Sequence, residues 1–285
     1  MQILNLSNVE KSNIKYTISH FPDGEVQITL GEFSHKDPVE VACRITNAEE
    51  LFILMQVADI LNRHDVVWHL HIYYLMGARM DRVMDFNRPY TLKIVANLIK
   101  NLGCRSIYVL EPHSDMTPFI LQSENLYPEE ERYDDFHPTN WNVYRDYLVV
   151  FPDKGAYERY DGEWRKGQVD IAIAEKVRNV ETGVIESIKI LNPEVFEGNT
   201  KPIMVVDDLC DGGGTFVGIA NEIRKYTDKE LNIFVTHMVN PVGIRHLANN
   251  FDHVYFTNSY KDWKQIWEPN PFVSFPENVT QFNVI

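Results

Sequence analysis

The chain has 285 residues, 44% of them hydrophobic and 12% aromatic, which is ordinary globular composition and enough for one large or two average domains with a buried core. A net charge of −14 with no basic stripe argues against nucleic acid as a partner, and no apolar run reaches membrane-spanning length. Three cysteines, Cys43, Cys104 and Cys210, exclude a disulfide framework and fit a reducing compartment; the N-terminus lacks a basic region followed by an apolar stretch, so a cytoplasmic protein is expected.

In chain order, Phe21-Pro22-Asp23-Gly24-Glu25 reads as a hairpin turn leading into an alternating strand over 26–30. An amphipathic helix is expected over 49–61 and a strand over 70–74. Gly77-Ala78-Arg79-Met80-Asp81-Arg82 follows that strand. Arginines at the C-terminal end of a strand stand where α/β sheets bind ligands, and guanidinium groups match phosphate oxygens bidentately. The alternative is a surface ion-pair cluster with Asp81 and Asp85. A helix over 89–102 would bury Leu92, Val95, Ala96 and Ile99, with Pro89 in its first turn and Gly103 ending it. The strand over 107–110 runs into Glu111-Pro112-His113-Ser114, which puts His113 at the same kind of sheet edge.

Residues 127–142 are polar, with two prolines and an acidic run, and mark a domain boundary that divides the chain into 1–140 and 141–285. Beyond it, a strand over 148–151 enters the Pro152-Asp153-Lys154-Gly155-Ala156 turn, and a strand over 171–174 opens onto Glu175-Lys176-Val177-Arg178. On an extended loop, Lys176 and Arg178 would point to one side. The segment 203–216 is the most informative: an apolar strand over 203–206, then Asp207, Asp208, Asp211, Gly212, Gly213, Gly214 and Thr215, then a helix over 217–226. Glycine amides and a helix start make an anion site, whereas adjacent carboxylates suit hydroxyl groups or a metal. A plain tight connection would explain the glycines but not the acidic pair. The segment is neither a Walker A loop nor a dinucleotide fingerprint. Strands over 233–236 and 254–257 complete an α/β pattern of parallel sheets flanked by helices.

Segment 203–216 resembles the phosphoribosyl-diphosphate loop of the type I phosphoribosyltransferase fold: apolar strand, Asp-Asp, two variable residues, Asp-Thr, a small residue, Gly-Thr. The other segments, in order from Phe21 to about Ser259, narrow the resemblance to the ribose-phosphate pyrophosphokinases. The resemblance implies two similar α/β domains, the first binding ATP and the second a ribose phosphate, with a C-terminal tail that can return to the first. It implies that Phe21, Asp23 and Glu25 reach across a homodimer interface to hold adenine, and that Arg79, Arg82 and His113 contact the nucleotide. His113 and Asp153 would hold Mg²⁺ with water. Lys176 and Arg178 would open a mobile loop that closes over the reacting phosphates, and Asp207, Asp208 and Asp211 to Thr215 would bind the ribose phosphate.

The implied reaction moves the β,γ-diphosphate of ATP onto the anomeric hydroxyl of a ribose 5-phosphate group and releases AMP. Four positions depart from the family pattern: Met80 replaces Gln, Glu111 replaces Asp, Ala156 replaces Gly and Gly212 replaces Thr. Loss of that threonine hydroxyl opens space beside the 5-phosphate, which suggests a 5-substituted acceptor such as ADP-ribose, in NAD salvage. A non-catalytic regulatory subunit and a phosphoribosyltransferase are the alternatives.

Overall fold

The computed structural model describes residues 2–126, 144–164, 169–178, 185–267 and 274–285; within these, 161–164, 177–178 and 185–186 are described by backbone alone. The chain forms two compact units, residues 1–127 together with Ile285, and residues 128–284. The carbonyl of Ile285 accepts a hydrogen bond from Asn8 Nδ2 at 3.4 Å. The boundary expected at 140/141 lies outside the described residues.

The first unit is built on a five-stranded sheet in the order β1-β4-β5-β6-β7, from β1 (Gln2–Asn5), β4 (Val39–Ile45), β5 (Trp68–Leu75), β6 (Ser106–Val109) and β7 (Glu124–Asn125). All four pairings are parallel. Helix α1 (Ala48–Arg63) is started by Asn47, whose side chain accepts the Glu50 amide, and buries Leu51, Leu54, Val57, Ala58 and Leu61 at helical spacing. Against it packs a hairpin of β2 (Tyr16–His20) and β3 (Val26–Leu30), fixed by Gln56, which accepts from the Ile28 amide and donates to the Val26 carbonyl. Helix α2 (Thr91–Lys100) buries the expected Leu92, Val95, Ala96 and Ile99. Pro89 stands two residues before it rather than in its first turn. A short α3 (Met116–Leu121) precedes β7.

The second unit has a seven-stranded sheet in the order β10-β9-β8-β11-β12-β13-β14. Its strands are β8 (Leu148–Phe151), β9 (Asp170–Arg178), β10 (Ile185–Ile190), β11 (Ile203–Cys210), β12 (Leu231–Met238), β13 (His253–Thr257) and β14 (Val279–Phe282). Only the β9–β10 pairing is antiparallel. Its helices are α4 (Lys154–Trp164), α5 (Gly214–Ile223), α6 (Pro241–Ala248) and α7 (Trp263–Trp267). The central strands are nearly continuous apolar runs, as sheets covered on both faces require; every residue of β8 and β12 is buried.

From β8 the chain steps one way to β9, and from β11 it steps the other way to β12. Between β8 and β11 the strand order therefore reverses, and such a switch point opens a crevice at the C-terminal ends of the strands.

Three expectations are corrected here. Glu175 to Arg178 is no loop but the end of β9, held by β10 with Lys176 opposite Ile188 and Arg178 opposite Ile185. Asp153 to Ala156 is the start of α4 rather than a free turn, because the Asp153 carboxylate caps the helix. The helix expected over 217–226 begins already at Gly214, because Gly213 takes a left-handed conformation, φ 78°, that turns the chain into it.

Candidate active site

At the switch point of the second unit, β8 ends at Phe151 and Asp153 follows at once. Asp153 Oδ1 accepts the Ala156 amide at 3.0 Å, and Oδ2 pairs with Lys176 Nζ at 3.1 Å. Lys176 reaches it because β9 runs past β8: Phe151 pairs with Ile173, and Lys176 lies three residues further along. Burial raises the Asp153 pKa, but the Ala156 amide and the Lys176 ammonium outweigh it and hold the carboxyl below its usual range. Asp153 is thus held toward its ionised form beside Lys176 and Arg159. Ala156 turns its methyl into the interior, away from solvent.

On the other side of the switch point, Asp207 and Asp208 lie inside β11, near its end. Asp208 is 2% exposed, and its amide donates to Asp207 Oδ1 at 2.9 Å. Burial and the neighbouring Asp208 push the Asp207 carboxyl well above the ordinary range. Asp211, Gly212 and Gly213 then form a turn held by both ends of α6. Asn240 Nδ2 donates to Asp211 Oδ1 at 3.1 Å, and His246 Nδ1 donates to the Gly212 carbonyl at 2.6 Å. A Cβ on Gly243 would stand 2.1 Å from the Asp211 carbonyl oxygen, so only glycine allows α6 to press this close. Beside Gly212 and Gly214, by contrast, an added Cβ would meet no atom within 4 Å.

Gly214 and Thr215 open α5, whose first amides have no partner within the helix and suit an anion. Cys210, buried under the turn, has its thiol pushed up to about 12 by burial and by Asp207 and Asp211, so it packs and does not react.

The first unit carries its candidates at the same edge of its own sheet. Gly77 (φ 82°) turns the chain out of β5, and Arg79 and Arg82 follow, both exposed. Arg82 Nε is 3.6 Å from Asp81 Oδ1, a loose surface contact worth little. On the neighbouring strand, β6 runs into Glu111, which is buried with φ 38°, and half-buried His113 follows two residues later. A non-glycine residue in that conformation is strained, a feature that clusters at functional sites.

The hairpin turn presents Phe21 half exposed, 51%, while Gly24 (φ 93°) closes the turn by donating to the Phe21 carbonyl at 2.8 Å. Asp23 accepts the Glu25 amide at 3.2 Å. The Arg178 side chain lies outside the described residues.

Sequence reasoning missed Arg159, which stands on α4 with Nη1 2.6 Å from Asp208 Oδ1, as well as Asn240, Gly243 and His246. The only signal for Arg159 was its place two helical turns into the segment after Asp153; nothing in sequence ties it to Asp208.

Among the described residues, no group of three or more His, Cys, Asp or Glu side chains is arranged to hold a metal. Mg²⁺ takes one or two carboxylates, keeps waters and shares substrate phosphates, and Asp153 offers a carboxylate of that kind. No described helix is long and apolar enough to cross a membrane.

No family model matches the chain. Its sequence is similar to the ribose-phosphate pyrophosphokinase of Burkholderia pseudomallei strain K96243, 32% identical over 232 residues that cover 79% of this chain and 70% of that protein. The ribose-phosphate pyrophosphokinase of Vibrio vulnificus strain YJ016 is 28% identical over 231 residues, 78% of this chain and 71% of that protein. The fold matches the crystal structure of phosphoribosylpyrophosphate synthetase from Mycobacterium smegmatis with a TM-score of 0.76 at 20% identity, covering 100% of this chain and 95% of that one. By sequence and by fold, the chain belongs to the ribose-phosphate pyrophosphokinase family and is a diphosphotransferase.

Proposed function

We propose that the protein transfers the β,γ-diphosphate of ATP to the anomeric hydroxyl of a ribose whose 5-phosphate carries a further substituent, as in ADP-ribose, with release of AMP. The anomeric oxygen bonds to the β-phosphorus, the bond from that phosphorus to the AMP oxygen breaks, and the hydroxyl proton leaves to solvent. No covalent enzyme intermediate is needed, so positioning and charge neutralisation carry the rate.

In this reading Asp207 and Asp208 accept the ribose hydroxyls, the Gly212–Gly213–Gly214 amides and Thr215 hold the 5-phosphate, and Lys176 with Arg178 clamps the transferring phosphoryl oxygens. Arg79, Arg82 and His113 bind the triphosphate, with Phe21, Asp23 and Glu25 of a partner copy on the adenine. Asp153 and His113 would hold Mg²⁺, which when bound offsets the charge on the transferring group. Phe21, half exposed at a hairpin tip, has the form that an adenine-stacking residue reaching a partner needs. The low pKa of Asp153 suits a hard cation.

The acceptor rests on one observation, the open space beside Gly212, where the family pattern places a threonine. AMP release measured with ribose 5-phosphate and with ADP-ribose tests it. Higher kcat/KM with ADP-ribose supports the proposal, and a strong preference for ribose 5-phosphate returns the protein to ordinary phosphoribosyl-diphosphate synthesis. A phosphoribosyltransferase, or a non-catalytic regulator, would release no AMP with either acceptor.

A further inference from the structure

An arginine outside the segments that carry the family resemblance stands against the acidic pair. Arg159 Nη1 lies 2.6 Å from Asp208 Oδ1 and 3.5 Å from Asp207 Oδ1. The surroundings are close to interior: the side chains of Arg159, Asp207 and Asp208 are 19%, 17% and 2% exposed. Two adjacent carboxylates so placed repel each other and lose hydration, and Arg159 offsets part of that cost.

The unequal distances divide the work. Asp208 is gripped, and Asp207 is the looser, more exposed of the two. Arg159 also belongs to the helix that Asp153 caps. One rigid element thus carries, at its start, the carboxylate paired with Lys176 and, six residues later, the guanidinium paired with the β11 acids. It spans the switch point from the phosphate side to the ribose side.

We infer that Arg159 is a positioning residue for the acceptor: it holds the Asp207–Asp208 pair in the orientation that receives the vicinal ribose hydroxyls, and touches neither phosphate nor nucleotide. This rests on the diphosphoryl-transfer reading above. A purely structural ion pair would lower stability and turnover without favouring one substrate. A positioning residue weakens one substrate selectively, and a conservative replacement restores part of the loss.

The test uses the full chain as wild type, Arg159→Lys and Arg159→Met. Thermal melts are recorded, and AMP release is measured with acceptor varied at saturating ATP and with ATP varied at saturating acceptor. Loss of the buried Arg159–Asp208 ion pair predicts that Arg159→Met raises the acceptor KM by about 10- to 100-fold. The ATP KM should stay within about twofold, with Arg159→Lys between Met and wild type in acceptor KM.

An unchanged acceptor KM in a folded variant, or an equal rise in both KM values, overturns the inference. If Arg159→Met does not fold, Arg159→Lys decides it, and failure of both to fold makes the residue structural and overturns it as well. Absence of AMP from the wild type with every ribose acceptor is a different failure, that of the proposed function. In that case, calorimetric titration of ribose 5-phosphate into wild type and Arg159→Lys still reads the role of Arg159: weaker binding by the variant supports it, equal binding removes it.

Discussion

Lys176 Nζ stands 3.1 Å from Asp153 Oδ2, so the end of β9 is tied to the first turn of α4 beside the switch point. The carboxylate is partly exposed, and such a pair contributes at most about 1 kcal/mol to stability. Its value is placement: it keeps an ammonium group beside the turns that face the proposed substrates.

Replacing Lys176 and Arg178 together by alanine is expected to lower kcat by about 10³ to 10⁵, the range known for arginine fingers in related phosphoryl chemistry. The melting temperature should change little. A double variant with near-normal turnover would contradict the clamp role.

The two flanking acids predict opposite pH behaviour. Asp153 has a depressed pKa when folded, so it stabilises the protein above the unfolded carboxylate pKa, and that contribution fades as pH falls through its folded value. Asp153→Asn keeps the helix cap but should melt below wild type at neutral pH, the gap closing in acid. Asp207 has a raised pKa, so its ionised form costs stability at neutral pH, a cost absent where the unfolded carboxyl is also protonated. Asp207→Asn should melt above wild type at neutral pH and lose that gain in acid, while weakening acceptor binding. Melting curves from neutral pH down to about pH 2 pass below the unfolded carboxylate pKa and check both signs.

Gly243→Ala places a methyl 2.1 Å from the Asp211 carbonyl oxygen. The expected result is a loss of about 1 to 3 kcal/mol in denaturant unfolding, together with weaker acceptor binding, because relief of the clash must shift the Asp211–Gly213 turn. Unaltered unfolding would show that α6 can retreat freely.

Gly212→Thr meets open space and should fold normally. Restoring a hydroxyl beside the 5-phosphate is expected to shift relative kcat/KM toward ribose 5-phosphate by about 10- to 100-fold. Competition between the two acceptors measures it; no shift would separate Gly212 from acceptor choice.

Phe21→Ala removes an aromatic face that the turn does not need, since the turn is held by backbone bonds between Phe21, Gly24 and Glu25. Base stacking of about 1 to 3 kcal/mol predicts an ATP KM raised roughly tenfold or more, with acceptor KM retained. Equal ATP KM values would take Phe21 out of the adenine site.

The elements most legible in sequence were those whose pattern matched their burial. The strand expected over 148–151 is β8 with the same bounds, and the helix expected over 49–61 is α1 with a few residues added at its ends. The β1, β4, β7 and β10 strands were not anticipated from the sequence, nor were β2 and β14. β2 is mostly exposed and lives on its partner β3, and β14 is a short edge strand, so neither carries a strong pattern of its own. Lys176 and Arg178 looked like loop residues because charged, alternating positions suit solvent as well as they suit an overhanging strand; only pairing with β10 distinguishes the two.

By itself, the order of residues determined the α/β alternation and the chemistry of each strand end, because periodicity, glycine placement and adjacent charges act over a few residues. What only the tertiary structure decided was which groups meet. Arg159 faces Asp208 because the strand order reverses and sets β8 beside β11, whereas Lys176 meets Asp153 through the β8–β9 pairing and His246 reaches the Gly212 carbonyl from the helix after β12. That reversal is a property of how distant strands pair, and no local run of side chains encodes it.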